Sequence, residues 1–326
     1  MRILIATDAW HPQVNGVVRT LTSLARSAAA LDADISFLTP EGFPSVGVPT
    51  YPGLRMALPN RSEIARRIEQ AAPEAIHIAT EGPIGWAVRG YCRRNKLAFT
   101  TSYTTRFPEY VEVRTMIPAS VGYALLRHFH SAASTIMVAT ASLRQELAER
   151  GFRRLGSWGR GVDTELFNPD TPAKLDLPGT KVVVGDGPQR AQLAQKYPDT
   201  VFLGEKKGAD LTAHLAAADV FVFPSLTDTF GVVQLEALAC GTPVAAFPVT
   251  GPKDVIADHP IGALDNDLRS ACLRALTMSR QTCRHFALER SWENSARQFI
   301  GNLAALQPSR VTLPARRIPG TSTVQG

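Results

Sequence analysis

Apolar and polar residues along the chain form two kinds of segment, short apolar runs and longer amphipathic stretches. In the first half the short runs predict five strands, namely Arg2–Ala6, Ile35–Leu38, Ala75–Ile78, Ala98–Thr101 and Thr135–Val138. The stretches between them predict helices, among them Val17–Ala30, Ser62–Ala71, Ile84–Asn95 and a short one over Ser142–Arg150. Ser142 is the predicted N-cap of that short helix, and Gly151 ends it.

The same alternation starts again after Asn168–Pro172, a segment rich in turn-forming residues. The predicted strands here are Lys181–Val184, Val201–Leu203, Val220–Phe223 and Val244–Phe247. The predicted helices are Ala191–Lys196, Leu211–Ala217, Val232–Ala239, Leu268–Ser279 and an amphipathic one from Trp292 to about Leu306.

Alternating strands and helices are typical of parallel, doubly wound sheets. We therefore predict an α/β chain with two Rossmann-like domains that face a cleft, the first over residues 1–168 and the second over residues 169–285. Residues 286–306 form a closing helix that packs back, and residues 307–326 are a tail without fixed structure.

Composition adds limits to this picture. The chain has 326 residues, 44% of them hydrophobic and 20% charged, which is enough for two domains with real cores. The sequence contains no apolar run of 18 residues, so we expect no transmembrane helix. Its start does not resemble a signal peptide, and its four cysteines form no CxxC pair, so we expect a cytoplasmic protein with reduced thiols.

The net charge of +6 would suit nucleic acid, an anionic membrane or a phosphorylated ligand. No basic helix interleaved with aromatic residues is present, which argues against nucleic acid.

The most informative stretch is Phe223–Gly241, in which a buried strand ends at a turn and the helix Val232–Ala239 follows. Ligands of open α/β sheets bind beyond the carboxyl ends of the strands. The amides of Phe230 and Gly231 would open the helix and form an anion site suited to a diphosphate. Gly231 would let the backbone approach that ligand closely.

Two carboxylates bracket this turn, Asp228 before the helix and Glu236 inside it. Carboxylates only accept hydrogen bonds and so pair naturally with sugar hydroxyls. The residues alone leave a simpler alternative open, in which Asp228 caps the helix and Glu236 lies on a solvated face.

The sequence FPSLTDTFGVVQLEALACGTPVAAFPVTG resembles the carboxylate–seven–carboxylate signature of the family-4 glycosyltransferases, which are retaining GT-B enzymes. The resemblance implies that Asp228, where the family usually has Glu, contacts the transferred sugar and that Glu236 binds the nucleotide ribose. It also implies that no metal and no cofactor is needed, because helix amides and basic residues hold the donor diphosphate. The implied donor-binding residues of the turn are Thr229, Phe230, Gly231 and Val232.

Three further motifs support the resemblance. DAWHPQVNGVVRT is similar to the family's first strand–loop–helix, in which Asn15 and Gly16 would lie against the diphosphate, although an ordinary Asn-Gly turn is the alternative. Gly161–Phe167 resembles the interdomain element, and VGDGP, with Gly185, resembles a strand-end loop of the nucleotide domain.

The segment Thr101–Tyr110 is closest to a subgroup of GDP-mannose-dependent α-mannosyltransferases and glycolipid synthases. That subgroup normally has a catalytic-cleft histidine at the position of Thr104, which keeps only a hydroxyl for hydrogen bonding. His128 and His130 would point to different sides of a helix, so we do not expect them to replace it or to bind metal.

A stretch that the family normally contains is missing. The nucleotide domain usually opens with a strand, a Gly-Arg turn and a helix with a lysine, roughly 25 residues in all. Here Pro172 is followed almost at once by the strand at Lys181, so the Arg and Lys that hold the diphosphate are absent. The cations that could compensate are Lys174, Lys206, Lys207 and Arg160, although a solvated side chain is the alternative for each.

The resemblance thus predicts a hexosyltransferase that moves mannose from GDP-mannose, or else a hexose from a UDP-sugar, to a lipid or glycan acceptor with retention. Peripheral contact with an anionic membrane at the inner face would involve Arg61, Arg66 and Arg67, for which a solvated helix face is the alternative. The alternative function is that of a catalytically impaired paralogue that acts as a binding or interaction module.

Overall fold

A computed structural model describes residues 1–13, 15–47, 55–170 and 179–304 of the chain. The described part of the first half contains eight strands: β1 (Arg2–Ala6), β2 (Asp34–Leu38), β3 (Ser45–Gly47), β4 (Arg55–Ala57), β5 (Ala75–Ile78), β6 (Thr100–Tyr103), β7 (Ile136–Val138) and β8 (Leu155–Ser157). Its helices are α1 (Gly16–Ala29), α2 (Arg61–Ala71), α3 (Pro83–Arg94), α4 (Phe107–Thr115), α5 (Ala119–His130) and α6 (Ala141–Glu149).

Six of these strands form one parallel sheet in the order β2-β1-β5-β6-β7-β8, and β3 and β4 form a separate antiparallel hairpin. Strands β5 and β6 are buried along their whole length. Helix α1 begins at the N-cap Asn15 and turns Val18, Leu21, Leu24 and Ala28 toward the sheet, a spacing of three and four residues that makes one apolar face.

Over residues 179–304, the second half contains five strands: β9 (Lys181–Val184), β10 (Thr200–Gly204), β11 (Phe221–Phe223), β12 (Val244–Ala246) and β13 (Gly262–Leu264). Its helices are α7 (Arg190–Lys196), α8 (Gly208–Ala217), α9 (Val232–Ala239), α10 (Pro252–Ile256), α11 (Leu268–Ala275), α12 (Arg280–Leu288) and α13 (Trp292–Asn302).

The strands of the second half do not form one sheet among the described residues. They form a parallel pair β10-β9 and a parallel three-stranded sheet β11-β12-β13. A six-stranded Rossmann sheet has the order 3-2-1-4-5-6. The pair matches positions 3-2 and the triplet matches positions 4-5-6, so the sheet is divided at the place of the first, central strand. This is the strand whose absence the sequence predicts.

The closing helix α13 packs on the first half. Its Ala296 and Phe299 are fully buried against Ile3, Leu21 and Leu24. Beside it, Val162, in the segment between the halves, forms a β-bridge with Ser291, the residue before α13. The doubly wound, two-domain fold with a shortened second domain is therefore present, whereas the predicted limits at residues 168 and 285 stay predictions.

Several element predictions need correction. Ser142 does not cap α6; Thr140 does, and the Ser142 amide and hydroxyl donate instead to Asp254 of the second half. Strand β6 lies two residues later than predicted, and the side chains of Thr100 and Ser102, which it buries, are hydrogen-bonded to the His77 ring. The helix predicted over Leu268–Ser279 ends four residues early, as α11 at Ala275, and a further helix that was not predicted, α12, follows with Ser279 as its N-cap.

The last predicted helix ends at Asn302 rather than near residue 306, and the predicted tail at 307–326 lies outside the described residues. Over the part of the chain that the structure describes, no helix is both long enough and apolar enough to cross a membrane.

Candidate active site

The cleft between the two halves is bridged by side-chain contacts near the ends of β6 and β11. The Thr229 hydroxyl donates to the Thr104 carbonyl at 2.9 Å, which joins the turn after β11 to the residue after β6. The Arg106 guanidinium donates to the Thr250 hydroxyl at 3.0 Å and to Glu146 at 2.6 Å. Two predicted site regions, at Thr104 and at residues 228–232, therefore face each other across the cleft.

The turn that leads from β11 into α9 leaves the helix start without a side-chain cap, although the Phe230 amide, one of the two predicted for the anion site, is bound to Asp228. Gly231 is the N-cap, with φ of 76°, and no side chain caps the helix there. A Cβ on Gly231 would lie 2.8 Å from the Phe223 ring, so both the backbone conformation and the packing require glycine. An uncapped helix start leaves first-turn amides for a ligand, and the helix dipole favours an anion there.

Asp228 lies at the entrance of this turn and is half-buried. Its Oδ1 accepts a hydrogen bond from the Phe230 amide at 3.0 Å. The carboxylate thus orders the turn, which agrees in part with the capping alternative, while its other oxygen can accept from a sugar hydroxyl. The sugar-binding role of Asp228 stays a prediction, as do the donor contacts of Thr229, Phe230, Gly231 and Val232.

Glu236 is 2% exposed, so it is not the solvated face residue of the simpler alternative. Its Oε1 accepts a hydrogen bond from Arg19, and its Oε2 is buried without a hydrogen-bond partner among the described residues. Burial raises the pKa of the Glu236 carboxyl, and the charge of Arg19 opposes that shift. A buried carboxylate oxygen without a donor is costly, and a ribose hydroxyl would supply one.

Arg19 is the site residue that the sequence did not reveal. It lies on α1 of the first half, four residues after the N-cap Asn15, and its partner is 217 residues away in the chain. The motif NGVVRT contains it, but nothing in the local pattern shows that its side chain crosses the cleft.

Asn15 and Gly16 open helix α1 on the same side of the cleft. The Asn15 side-chain oxygen accepts from the amides of Val17 and Val18, each at 3.0 Å, so this oxygen caps the helix. Nothing lies within 4 Å of the place where a Gly16 Cβ would stand. The local geometry therefore fits an ordinary cap, and the predicted contact of both residues with a diphosphate stays a prediction.

Gly185 lies at the end of β9, on the separate two-stranded sheet. Its amide donates to the Gly204 carbonyl at 2.8 Å, and its φ is 141°. These contacts tie Gly185 to β10 rather than to the turn before α9.

Three of the four cations proposed as substitutes for the missing Arg and Lys have partners of their own. Lys206 pairs with Asp210 at 3.2 Å, and Lys207 pairs with Glu205 at 3.1 Å. Arg160 lies over the Trp158 ring, where burial lowers the pKa of its guanidinium to about 10. Lys174 lies outside the described residues.

The histidines near the cleft have structural partners. His130 is buried between Thr101 and Glu81, whereas His128 stacks on Trp86, so the two point to different sides of α5. Within the described ranges, no group of three or more His, Cys, Asp or Glu side chains is placed to hold a metal ion.

Comparisons with known proteins match both halves. A model described as Glycosyltransferase Family 4 matches residues 14–166, and one described as Glycosyl transferases group 1 matches residues 173–277. The chain is 27% identical to a GDP-mannose-dependent alpha-mannosyltransferase of Mycobacterium tuberculosis (strain CDC 1551 / Oshkosh), covering 97% of this chain and 99% of the relative. It is 25% identical to the alpha-monoglucosyldiacylglycerol synthase of Streptococcus pneumoniae (strain ATCC BAA-255 / R6), covering 92% of this chain and 83% of the relative.

The mycobacterial alignment also bears on the missing segment. It spans 381 positions while this chain has 326 residues, so at least 55 positions face a gap in this chain.

Solved structures show the same architecture. Sucrose-phosphate synthase from Thermosynechococcus elongatus has a TM-score of 0.71 at 18% identity, covering 92% of this chain and 97% of that chain. HepE of Anabaena, in complex with UDP and glucose, has a TM-score of 0.65 at 14% identity, covering 92% and 98%. At these identities the likeness shows the fold alone.

Proposed function

The chain belongs to the group 1 glycosyltransferases of family 4, and from this premise we propose that it transfers mannose from GDP-mannose to a lipid or glycan acceptor with retention of configuration. The single observation that carries the proposal is the buried Glu236, with one unpartnered oxygen, one turn inside the uncapped helix α9. Together they offer an acceptor for a ribose diol and amides for a diphosphate.

The choice of mannose and of guanosine is supported by the relatives. The GDP-mannose-dependent alpha-mannosyltransferases of Mycobacterium tuberculosis and Mycolicibacterium smegmatis align over 97% and 94% of this chain. A UDP-hexose is the second candidate donor.

Residues on both sides of the cleft would take part in the reaction. Asp228 would accept hydrogen bonds from hydroxyls of the transferred sugar, and the first-turn amides of α9 would stabilise the charge that develops on the leaving diphosphate. Thr104, held beside Thr229, would offer one hydroxyl near the sugar and the acceptor. No metal and no other cofactor is required in this proposal, because the first-turn amides of α9 and the Arg19 guanidinium beside Glu236 supply the positive charge.

A lipid acceptor would place the chain at the inner face of the cytoplasmic membrane. Its support is an exposed apolar surface on the first half, formed by side chains of α4, α5 and the turn between them: Phe107, Met116, Ile117, Val121 and Leu125. The Arg61–Arg67 cluster supports it less, since Arg66 and Arg67 both pair with Glu63. Large exposed apolar patches mark surfaces that bind partners or membranes.

Titration calorimetry of the whole chain with GDP, UDP, GDP-mannose and UDP-glucose tests the proposal. We expect GDP to bind and GDP-mannose to release GDP when an acceptor is supplied. A Glu236→Gln variant should lose nucleotide affinity, and Glu165→Gln, at an exposed position, should keep it.

Absence of binding at millimolar nucleotide would contradict the proposal. Binding without transfer to any acceptor would instead support the alternative, an impaired relative that serves as a binding module.

A further inference from the structure

Arg19 belongs to the first half, yet its guanidinium contacts the Glu236 carboxylate of the second half, the group that we assign to the ribose. Its side chain is 51% exposed, whereas that of Glu236 is 2% exposed. Arg19 lies in the first turn of α1, and Glu236 lies one turn inside α9. The guanidinium of Arg19 thus joins the first turn of α1 to a residue one turn from the start of α9, and the first turn of a helix is where its dipole favours an anion.

We propose that Arg19 binds the diphosphate of the donor and stabilises it as the leaving group, in place of the arginine and lysine that the second half lacks. This assignment rests on the proposed function. It moves the cation that contacts the diphosphate from the second half, where the family resemblance puts it, to the first helix of the first half.

The hydrogen bonds of Arg19 leave it able to do this. A guanidinium has five N–H donors, and among the described residues the Arg19 side chain donates to Glu236 alone. About half of the side chain is exposed to solvent, so its remaining donors are accessible to a ligand that binds beside Glu236. Guanidinium groups match phosphate oxygens in a two-bond geometry, which makes arginine well suited to this role.

The charge balance also calls for a cation at this place. Glu236 carries a negative charge when ionised, and a nucleoside diphosphate would bring more negative charge to the adjoining helix start. In a poorly solvated cleft these charges repel each other strongly unless a cation lies between them. Arg19 is already in contact with the carboxylate, and its positive charge would reduce the repulsion between the two groups.

Other cations in the cleft are held by partners of their own. Arg106 has a side chain only 14% exposed and is bound to Glu109 and Glu146. Lys206 and Lys207 pair with acidic residues close to them in the chain. Among these described cations, Arg19 is the one that touches a predicted donor-binding residue.

The test is titration calorimetry of the wild type, Arg19→Gln and Arg26→Gln with guanosine, GMP and GDP. Arg26 is the matched control, because it lies on the same helix and is 74% exposed. We expect Arg19→Gln to weaken GDP binding about 10- to 100-fold, as expected for a lost hydrogen bond to a charged group, and to leave guanosine binding within about twofold. Arg26→Gln should bind all three ligands as the wild type does.

An Arg19→Lys variant guards against a folding defect, since it keeps the charge and should recover part of the GDP affinity. Unchanged or tighter GDP binding by Arg19→Gln would overturn the assignment, and tighter binding would mean that Arg19 only obstructs the ribose carboxylate. A wild type that binds none of the three ligands would overturn the proposed function itself, which is a distinct result.

Discussion

The two halves of the molecule are built from the same alternation of strands and helices, but among the described residues the first alone forms a continuous sheet. Six parallel strands join in the first half, whereas the described strands of the second half separate into a pair and a triplet. The division lies where a central strand would stand. The comparison teaches that the continuity of the sheet in a doubly wound domain depends on the middle strand more than on the number of strands.

Burial shows the consequence of the division. Strands β5 and β6 of the first half are buried throughout. In β9, Val183 and Val184 are 40% and 37% exposed, and Val222 of β11 is 43% exposed. Helix α7, which follows β9, has no buried residue. The exposure of these apolar side chains agrees with a sheet that is interrupted between β9 and β11.

Because the sheet is divided, one part of the candidate site packs on the larger core of the second half, and another part lies on the two-stranded pair. Helix α9 and its turn rest on the larger core of the second half, in which Phe223 and Leu235 pack with Val162 and Phe167 of the interdomain element. Gly185 instead lies on the detached pair. The ribose and diphosphate contacts proposed at α9 therefore depend less on the missing strand than any contact at Gly185 does.

Hydrogen exchange tests the difference between the two halves, and it is the measurement for which we expect the largest effect. We expect amides of β9 and β10 to exchange at least about 10³-fold faster than those of β5 and β6, because local opening needs little energy where few apolar contacts are buried. Amides of β12, in the second half but in the triplet, are the internal control. Equal protection of β9 and β5 would show that the second half is as cohesive as the first.

Insertion of the missing segment is the second way to test the contrast. A strand–turn–helix of about 25 residues, placed between Asn168 and Lys181 and carrying the Gly-Arg turn and the lysine, should join the two sheets. We expect turnover of GDP-mannose to rise about 10²–10³-fold, the effect of regaining preorganised donors at the leaving group.

A control insertion with both cations changed to Gln should restore slow exchange in β9 without that gain in turnover. If the control insertion raises turnover as much, the strand rather than the cations limits the reaction.

Much of this architecture could be predicted from periodicity alone. The predicted bounds of β1, β5 and β9 agree with the structure, because short apolar runs between turn formers leave little freedom. The gap in the second sheet could also be foreseen, from the few residues between Asn168 and Lys181.

What could not be foreseen depends on contacts between distant residues. Strand β6 is buried yet polar, and hydrogen bonds to His77 and His130, which are distant in the chain, satisfy its side chains. Ser142 has the pattern of an N-cap, but its tertiary partner Asp254 takes its hydrogen bonds. Arg19 is an ordinary surface residue of an amphipathic helix until the second half places Glu236 against it.

Thr104 gives the smallest and most local test, because it lies in the half whose sheet is intact. A Thr104→His substitution would place a group that can donate a charged hydrogen bond beside Thr229, at the sugar and acceptor side of the cleft. We expect turnover to rise about tenfold, which corresponds to one hydrogen bond from a charged group. The measurement is GDP release from GDP-mannose with acceptor, and Thr105→His, at the next position, is the control.

The size of the gain from Thr104→His, set beside the gain from the insertion, tells which half limits the reaction. If the first half already holds the sugar well, the histidine should add its tenfold equally with and without the inserted segment, since the two changes act on different groups. A gain that appears only after insertion would mean that the divided sheet keeps the donor from its place. A Thr104→His variant no more active than Thr105→His would remove Thr104 from the site.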